Sequence, residues 1–484
     1  MVLLHPISTI PIDKLPIRSS AFRNRKWTSK QPYTTTGLFI SSSWQSDPPI
    51  QVFPPLNQSV AAVVFGDGSE SGLYPLTKKR SEGAIPVAAN YRLVDIAVSN
   101  CINSNITKIY ALTQFNSTSL NSHLSRAYSS IGLGKDGFVE VLAAYQSPED
   151  QDWFQGSADA VRRCLWILEE HPVMDFLVLP SYHLHRMDYQ KLIQAHRSSN
   201  ADITIAVSCC TRNQNRGFGF LKVDCENWVL EFKEKPEQEL LKPMEVEGSQ
   251  KSKDDFCYMS MGIFAIKRDV MVKLLTAYFP KANDLGSEVI TGAISMGLKV
   301  QAYIYDGYWE DMGTIEAFYR ANMESTRKTT SGFNFFDRDS PLYTLPRNLP
   351  PTTMTDAMIV DSVIGDGCIF NRCKVKGSVI GMRTWIGDGA VVEDSVVMGS
   401  DIYQMEGVKK SRMDKHGMDI PIGVGEKSHI RKAIIDKNAH IGKSVKIMNR
   451  DNVQEGNRED RGYIISGGIV IVLRSAVIPD GSIL

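Results

Sequence analysis

The sequence predicts an α/β domain followed by a parallel β-helix. Two observations indicate this arrangement: apolar runs alternate with helical patterns in the first part of the chain, and aliphatic residues recur at every sixth position in the last part. Strands that alternate with helices are typical of a mostly parallel sheet with helices on both faces. A six-residue step fits neither a helix nor an alternating strand, but it fits one side of a triangular β-helix coil.

In the first part, the apolar run at 60–65 predicts a buried strand, and a turn that contains glycine follows it. Further strands are expected at 106–113, 176–179 and 203–208, with a helix at 157–170. Ligands bind at the carboxyl ends of the strands in such sheets. The segments that directly follow strands are therefore the candidate functional site.

The six-residue repeat appears in two blocks of the last part. The first register is Ile380, Ile386, Val392 and Met398, and the second is Ile435, Ile441, Ile447 and Val453. Irregular strands of a β-sandwich are the alternative. The segment 332–351 is rich in Asp, Asn and Pro, which indicates a connection between domains, and the polar stretch 404–419 is expected to loop out between the two blocks.

Composition excludes several classes of function. Lys plus Arg and Asp plus Glu are both 54 among 484 residues, so nothing indicates nucleic acid or an anionic membrane as the main partner. No apolar run is long enough to span a bilayer. The eight cysteines form no paired CxxC motifs, which favours reduced thiols over a structural zinc site.

The first 50 residues are rich in Ser, Thr and basic residues and contain only two acids, Asp13 and Asp47. This composition is typical of an organellar transit peptide, and a disordered basic tail is the alternative. The predicted organisation is a leader over 1–50, an α/β domain over 59–325, a linker over 326–351 and a β-helix over 352–484.

Several short motifs identify a family. They are Leu-Tyr-Pro-Leu-Thr-Lys-Lys-Arg at 73–80, Trp-Phe-Gln-Gly at 153–156, Ala-Asp-Ala-Val at 158–161, Glu-Lys-Pro at 234–236, Tyr-Trp-Glu-Asp at 308–311, Asp-Lys-Asn-Ala at 436–439 and Asp-Asn-Val-Gln-Glu at 451–455. From Ser59 to Leu484 the chain resembles plant plastid ADP-glucose pyrophosphorylase (glucose-1-phosphate adenylyltransferase). It is most similar to the small subunit, and within that group to a divergent, inactive member.

The resemblance implies a Rossmann-like nucleotidyltransferase domain with a mixed, mostly parallel sheet, followed by a left-handed parallel β-helix of hexapeptide repeats. Enzymes of the family join ATP to glucose 1-phosphate, giving ADP-glucose and pyrophosphate for starch synthesis in plastids. They use Mg²⁺, assemble as heterotetramers in plants and bind phosphorylated effectors.

The family pattern has a glycine-rich loop that ends in an Arg, then a Lys and two Asp metal ligands. Here the nucleotide-binding loop keeps Gly66 and Gly68, but Asp67 and Glu70 replace glycines and Gly72 replaces the Arg. Glycine allows close approach of the backbone to phosphate, whereas a carboxylate adds bulk and repulsion.

Two further replacements affect the phosphate and metal side. Glu82 stands where the family has the Lys, and Tyr182 stands where it has the first metal Asp. Asp311 is the metal carboxylate that remains, so the metal site is incomplete. We therefore expect no intact catalytic set and no retained Mg²⁺.

The base and sugar sides match the family better. Gln155 and Gly156 match the segment that contacts the base. For the sugar phosphate, the matching residues are Gly219, Glu234, Lys235 and Ser260. Without the resemblance, Glu234 and Lys235 would be interpreted as a surface pair and Ser260 as a strand-end hydroxyl.

Other positions bear on metals and effectors. His183 and His185 flank one residue, but a third ligand is not evident, so a structural role is favoured over a metal site. In the family, β-helix lysines bind phosphorylated effectors. Arg431 matches the first of these and is followed by Lys432, whereas Ser466 replaces a later one.

The favoured hypothesis is a non-catalytic subunit that assembles with other subunits of the family, with a structural or regulatory role. The alternatives are an adenylyltransferase with low residual activity, and a sensor of sugar phosphates or nucleotide sugars.

Overall fold

The computed structural model describes residues 53–66, 72–145, 152–209, 219–233, 257–327, 332–403 and 420–484. Residues Pro54–Leu484 form one compact unit. The predicted leader at 1–50 and the predicted loop at 404–419 lie outside the described residues.

The α/β domain is built from short strands and helices. Its strands are β1 Val60–Phe65, β2 Pro86–Val87, β3 Tyr91–Arg92, β4 Lys108–Thr113, β5 Phe138–Ala143, β6 Asp175–Pro180, β7 His183–His185, β8 Ile203–Cys209, β9 Phe220–Val223, β10 Val229–Lys233, β11 Cys257–Lys267, β12 Val300–Ile304 and β13 Trp309–Asp311. Its α-helices are α1 Leu56–Ser59, α2 Leu93–Asn103, α3 Thr118–Ala127, α4 Ser157–Leu168, α5 Tyr189–Ser198, α6 Arg268–Lys273, α7 Thr291–Ser295 and α8 Ile315–Ser325. A 3₁₀ turn at Glu82–Ala84 and π-helical turns at Leu274–Tyr278 and Leu285–Ile290 complete it.

Nine of the described strands form one mixed sheet. Strands β5, β4, β1 and β6 run parallel in that order, β8 pairs in parallel with β12, and β11 runs antiparallel to its neighbours β6, β8 and β9. Most strands therefore point the same way, which confirms the predicted mixed, mostly parallel sheet.

Strand β1 shows why both faces of the sheet are covered. Successive side chains of a strand point to opposite faces. Ala61 and Val63 pack into one apolar cluster, which contains α4, whereas Val60, Ala62 and Val64 pack into another, which contains residues of α2, α3 and α5. The continuous apolar run at 60–65 thus becomes a strand that is buried on both sides.

The last part of the chain forms a β-helix with three sheet faces of parallel coils. The first face contains Thr353–Thr355, Ile369–Asn371, Trp385–Ile386, Gly423–Val424, His440–Ile441 and Val477–Ile478. The second contains Met358–Val360, Lys374–Lys376, Val391–Glu393, His429–Arg431 and Lys446–Ile447. The third contains Val363–Ile364, Val379–Ile380, Val396–Val397, Ala433–Ile435 and Ile469–Val472, extended by the antiparallel strands Tyr463–Ser466 and Gly456–Arg458.

The six-residue registers correspond to the inside of this coil, with two exceptions. Met398 is buried outside the coil interior, in the cluster that contacts the α/β domain. Seven of the eight predicted positions are buried, from Ile380 to Ile447. The prediction for Val453 was wrong, because this side chain is 38% exposed. After Ile447 the chain leaves the coil and enters the hairpin Gly456–Arg458 and Tyr463–Ser466, so the repeat stops there.

The third face of the β-helix packs against the α/β domain. Its side chains alternate between the coil interior and an interface cluster. Val396 and Ile471 share that cluster with Ile85 and with Phe318 of α8. Phe333, from the connection between the domains, is buried in the same cluster. The β-helix therefore lies next to the segment that leads out of the loop after β1.

Candidate functional site

The loop after β1 begins in close contact with neighbouring strands. The Gly66 N–H donates to the carbonyl of Leu112 at 2.8 Å, and the Gly66 carbonyl accepts from Gly83 at 3.0 Å. A Cβ atom added at Gly66 would lie 2.7 Å from Leu120 Cδ2. Close approach therefore requires glycine here. Asp67, Gly68 and Glu70 lie outside the described residues.

Gly72 occupies the place where the resemblance expects an arginine. Its backbone forms an isolated parallel bridge to Thr314. A Cβ atom at Gly72 would lie 2.6 Å from the Gly313 carbonyl oxygen, which is shorter than real contacts allow. The backbone beyond β13 thus packs directly against Gly72, and no side chain fits there unless one of the two segments moves.

Glu82 places a carboxylate inside the same region. It is 3% exposed and begins the 3₁₀ turn Glu82–Ala84. A Cβ atom at the next residue, Gly83, would lie 3.1 Å from Ser181 Oγ and 3.2 Å from the Gly66 carbonyl oxygen. The turn therefore packs against Gly66 at the end of β1, and Glu82 in this turn stands where the family pattern has a cation.

Tyr182, His183 and Asp311 come together through the pairing of β7 with β13. In this antiparallel pair Asp311 lies opposite His183, and His183 Nε2 is 3.9 Å from Asp311 Oδ1. The Tyr182 ring packs edge-on against the His183 ring with centroids 4.6 Å apart. The structure thus brings the replaced metal position and the retained metal position to one place.

The ionisable groups of this pair are strongly desolvated. Burial raises the pKa of Asp311 to about 6, although the Gly313 N–H donates to its Oδ1 at 2.7 Å. Burial also lowers the pKa of His183 and of His185 to about 3, so both imidazoles are neutral. Asp311 is therefore a desolvated carboxylate whose neighbour His183 is uncharged.

Mg²⁺ takes hard oxygen ligands and is bound through one or two carboxylates together with waters and substrate phosphates, and the family pattern supplies two Asp. The described residues contain no cluster of three or more His, Cys, Asp or Glu side chains that could hold a metal ion. With Tyr182 in place of the first Asp, the donor set around Asp311 does not fit the family's metal.

On the sugar side, the structure joins two of the predicted residues. The Ser260 N–H donates to the Gly219 carbonyl at 2.8 Å. A Cβ atom at Gly219 would lie 2.8 Å from the Phe232 ring, so glycine is required by packing. Ser260 Oγ accepts from the Gly262 N–H at 3.1 Å, within an irregularity of β11. Glu234 and Lys235 lie outside the described residues.

On the base side, Gln155 and Gly156 lead into α4. A Cβ atom at Gly156 would lie 2.3 Å from the Asn283 carbonyl oxygen, which explains the glycine. The Gln155 N–H donates to Asp159 Oδ2 at 3.0 Å, and its exposed side chain donates to the Trp153 carbonyl. This arrangement fixes the backbone at the start of α4 and leaves the Gln155 amide at the surface.

The predicted effector residues lie on the second face of the β-helix. Arg431 is exposed and pairs in register with Glu393 of the neighbouring coil. Lys432 follows at a coil corner with a positive φ of 50°. Neither residue lines the basic cavity between the α/β domain and the β-helix.

A cavity of about 270 Å³ lies where the α/β domain meets the β-helix. Six of its lining side chains are cationic: Arg80, Arg92, Arg126, Arg347, Lys437 and Arg474. Among the described lining residues, Asp401 is the one carboxylate. Sequence reasoning missed this site because its residues come from distant segments, although Arg80 and Lys437 both fall within motifs that carry the resemblance.

Burial makes these cations costly. It lowers the pKa of Arg92 to about 10, with the neighbouring Arg347 adding to the effect, and it lowers the pKa of Lys437 to about 8. His123 also lines the cavity. Its Nε2 lies 2.6 Å from Asp95 Oδ1, and its buried Nδ1 has no hydrogen-bond partner among the described residues. The cavity is therefore built for an anion.

Comparison with known proteins agrees with the architecture. A nucleotidyl transferase family profile matches residues 61–328, and the profile of a GLGC left-handed parallel beta-helix domain matches residues 347–483. The chain is thus a member of the nucleotidyltransferase class that carries a left-handed β-helix, as predicted from the sequence.

Two relatives specify the family further. The chain is 59% identical to "Inactive glucose-1-phosphate adenylyltransferase small subunit 2, chloroplastic" of Arabidopsis thaliana over 89% of this chain and 90% of the relative. It is 51% identical to "Glucose-1-phosphate adenylyltransferase small subunit, chloroplastic/amyloplastic" of Triticum aestivum over 97% of this chain and 100% of that relative. The chain belongs to the glucose-1-phosphate adenylyltransferase small-subunit family, which confirms the resemblance. Among the described residues, no helix is long and apolar enough to cross a membrane.

Proposed function

We propose that this chain is a non-catalytic small subunit of plastid glucose-1-phosphate adenylyltransferase, with a structural or regulatory role in the assembled enzyme. The observation that carries the proposal is the packing of Gly72 against Gly313, where a Cβ atom would lie 2.6 Å from the carbonyl oxygen. The backbone occupies the place of a phosphate-binding arginine, so the loss involves the packing of the site as well as one side chain.

The charge pattern supports the same conclusion. Transfer of an adenylyl group brings several negative charges together and needs cations or a metal to stabilise them. Here Glu82 is buried in the turn that contacts Gly66, and Tyr182 packs on His183, which lies opposite Asp311. We propose that no Mg²⁺ is retained. A relative with 59% identity is named inactive, and both relatives are named chloroplastic, which confirms the plastid localisation predicted from the leader.

The open first coil of the β-helix supports a role in assembly. Its strands Thr353–Thr355 and Met358–Val360 are the terminal strands of their sheets in the described structure. Met354, Met358 and Val360 are exposed there, with Met358 at 59%. Solenoid ends need polar caps to remain monomeric, and an uncapped apolar edge is an association surface. We propose that another subunit of the same family covers this end, as the heterotetramer of the family implies.

Co-expression with a large subunit of the family tests this proposal. Native mass spectrometry of the purified mixture is expected to show hetero-oligomers that contain this chain. The Met358→Lys variant is expected to reduce their yield, whereas Ile483→Lys, which changes a 63% exposed side chain at the opposite end of the β-helix, is the matched control. Recovery of this chain as a free monomer in all mixtures would refute the assembly role.

A second function is favoured by the basic cavity: binding of a phosphorylated effector. Arginine presents several donors in a fixed geometry that suits phosphate oxygens, and five of the cavity's six cations are arginines. Calorimetric titration with inorganic phosphate at constant ionic strength is expected to show binding that Arg347→Ala weakens. The control is Arg372→Ala, because Arg372 pairs with Asp388 on the β-helix and does not line the cavity. Equal binding by both variants would place the phosphate elsewhere.

A further inference from the structure

Asp401 lies at a corner of the β-helix that is stacked against the corner of the next coil. Its backbone N–H donates to Asn438 Oδ1 at 2.7 Å, and the Asn438 N–H donates to the Gly399 carbonyl at 3.1 Å. The following corner continues the stack, because the Ser475 N–H donates to the Lys437 carbonyl at 3.0 Å. Coil stacking therefore places Asp401 beside residues 437 and 474, although they are far apart in sequence.

The Asp401 carboxylate pairs with both cations that the β-helix contributes to the basic cavity. Lys437 Nζ lies 2.6 Å from its Oδ1, and Arg474 Nη2 lies 3.1 Å from its Oδ2. Asn438 Nδ2 also donates to Oδ2 at 3.0 Å. Burial opposes ionisation of Asp401, yet Lys437, Asn438 and Arg474 together hold the pKa of its carboxyl well below the usual value. Asp401 is therefore an anion that already occupies one wall of an anion site.

Two other cations of the cavity have hydroxyl and carbonyl hydrogen-bond partners. Arg92 donates to Ser119, a neutral partner, and Arg126 donates to Ser122. Like charges in a half-buried cavity repel, and a ligand that carries two negative charges relieves this repulsion better than one carboxylate does. A phosphate dianion would gain the most binding free energy if it also contacted Lys437 and Arg474, the two cations that pair with Asp401.

We propose that Asp401 is a built-in competitor for the phosphate that enters this cavity, and that the ligand binds by taking Lys437 and Arg474 from it. The inference rests on the proposed phosphate binding and names its regulation. The Asp401 side chain is 39% exposed, so it can turn toward water when it is displaced. The carboxylate thus lowers the affinity of the cavity for anions, most of all for those that compete poorly for Lys437 and Arg474.

The test compares the parent chain with Asp401→Asn, which keeps the shape and the Asn438 contact but removes the charge. Calorimetric titration of the full chain with inorganic phosphate, at constant ionic strength adjusted with chloride, is expected to show about tenfold tighter binding to the variant, since one nearby like charge has been removed. Asp388→Asn is the matched control: Asp388 is a β-helix carboxylate that pairs with Arg372 outside the cavity, and its removal is expected to leave the affinity unchanged.

The outcomes separate this inference from the function on which it rests. If the parent chain binds phosphate in an Arg347-dependent manner but Asp401→Asn binds no more tightly, the competitor role is refuted and phosphate binding stands. If neither protein binds phosphate, both are refuted. Thermal melting gives a second measurement: Asp401→Asn leaves Lys437 without its partner, so phosphate is expected to raise its midpoint more than that of the parent, and an equal rise would contradict the proposal.

Discussion

Replacement of Asp436 by Asn tests how the α/β domain is held to the β-helix. Arg80 ends the segment that leads out of the loop after β1, and its Nη2 pairs with Asp436 Oδ1 of the β-helix. The two side chains are 2% and 3% exposed, and Arg80 Nε also donates to the Leu76 carbonyl at 3.0 Å. Removing one partner leaves a buried charge without compensation, which costs about 3–5 kcal/mol. We expect a correspondingly large loss of stability.

The assay is chemical unfolding of the full chain, followed by fluorescence, with midpoints compared between variants. The control is Glu426→Gln, because Glu426 pairs with Lys443 on the β-helix and their side chains are 43% and 60% exposed. Such surface pairs contribute about 0–1 kcal/mol. Replacing both partners of the buried pair, as Arg80→Met with Asp436→Leu, is expected to recover much of the loss. A midpoint for Asp436→Asn no lower than that of Glu426→Gln would refute the reasoning.

Three further predictions concern the transfer site and the basic cavity. Burial raises the pKa of Asp311 to about 6, so ionisation of this carboxyl destabilises the fold as the pH rises from about 4 to 6. Asp311→Asn should therefore melt at a higher temperature than the parent at pH 7.5, and the difference should shrink as the pH falls toward 4.5. A difference in melting temperature that does not change with pH would contradict this prediction. Gly72→Ala should lower the melting midpoint, because its Cβ would lie 2.6 Å from the Gly313 carbonyl oxygen and the free energy of unfolding would fall by about 1–3 kcal/mol. The control Gly132→Ala should have little effect, because no atom lies within 4 Å of a Cβ at that position. Phosphate binding at pH 8 should be accompanied by proton uptake, because a bound anion raises the pKa of Lys437 from its lowered value of about 8. Calorimetry in buffers of different ionisation enthalpy measures the number of protons taken up. An absence of proton uptake would contradict phosphate binding beside Lys437.

Much of the fold follows from local pattern. The apolar run at 60–65 matches β1 residue for residue, because its short length, its valines and the glycine that follows favour a buried strand over a buried helix. Up to Ile447 the hexad registers match the coil interior, except at Met398, which packs toward the α/β domain. Val453 does not follow the register, because the hairpin that comes after it pairs in an antiparallel manner with the third face of the β-helix. A six-residue period cannot indicate such a hairpin.

The sequence predicts which residues of the transfer site are replaced, but it does not predict how the segments around them pack. The sequence shows that Gly72, Glu82 and Tyr182 replace an arginine, a lysine and an aspartate of the family pattern. It does not show that Gly313 closes over Gly72, because that contact joins segments more than two hundred residues apart. The basic cavity escaped prediction for the same reason, since its cations meet only when the third face of the β-helix packs on the α/β domain.

The most direct test of the central claim is the turnover of the purified chain by itself. The protein is produced in a host without the family's enzyme and is incubated with ATP, glucose 1-phosphate and Mg²⁺, and ADP-glucose is quantified by mass spectrometry. Since loss of one group that stabilises the transition state typically costs 10²–10³-fold, we expect product no higher than in a reaction without protein. Sustained, Mg²⁺-dependent formation of ADP-glucose, abolished by Asp311→Asn, would contradict the account.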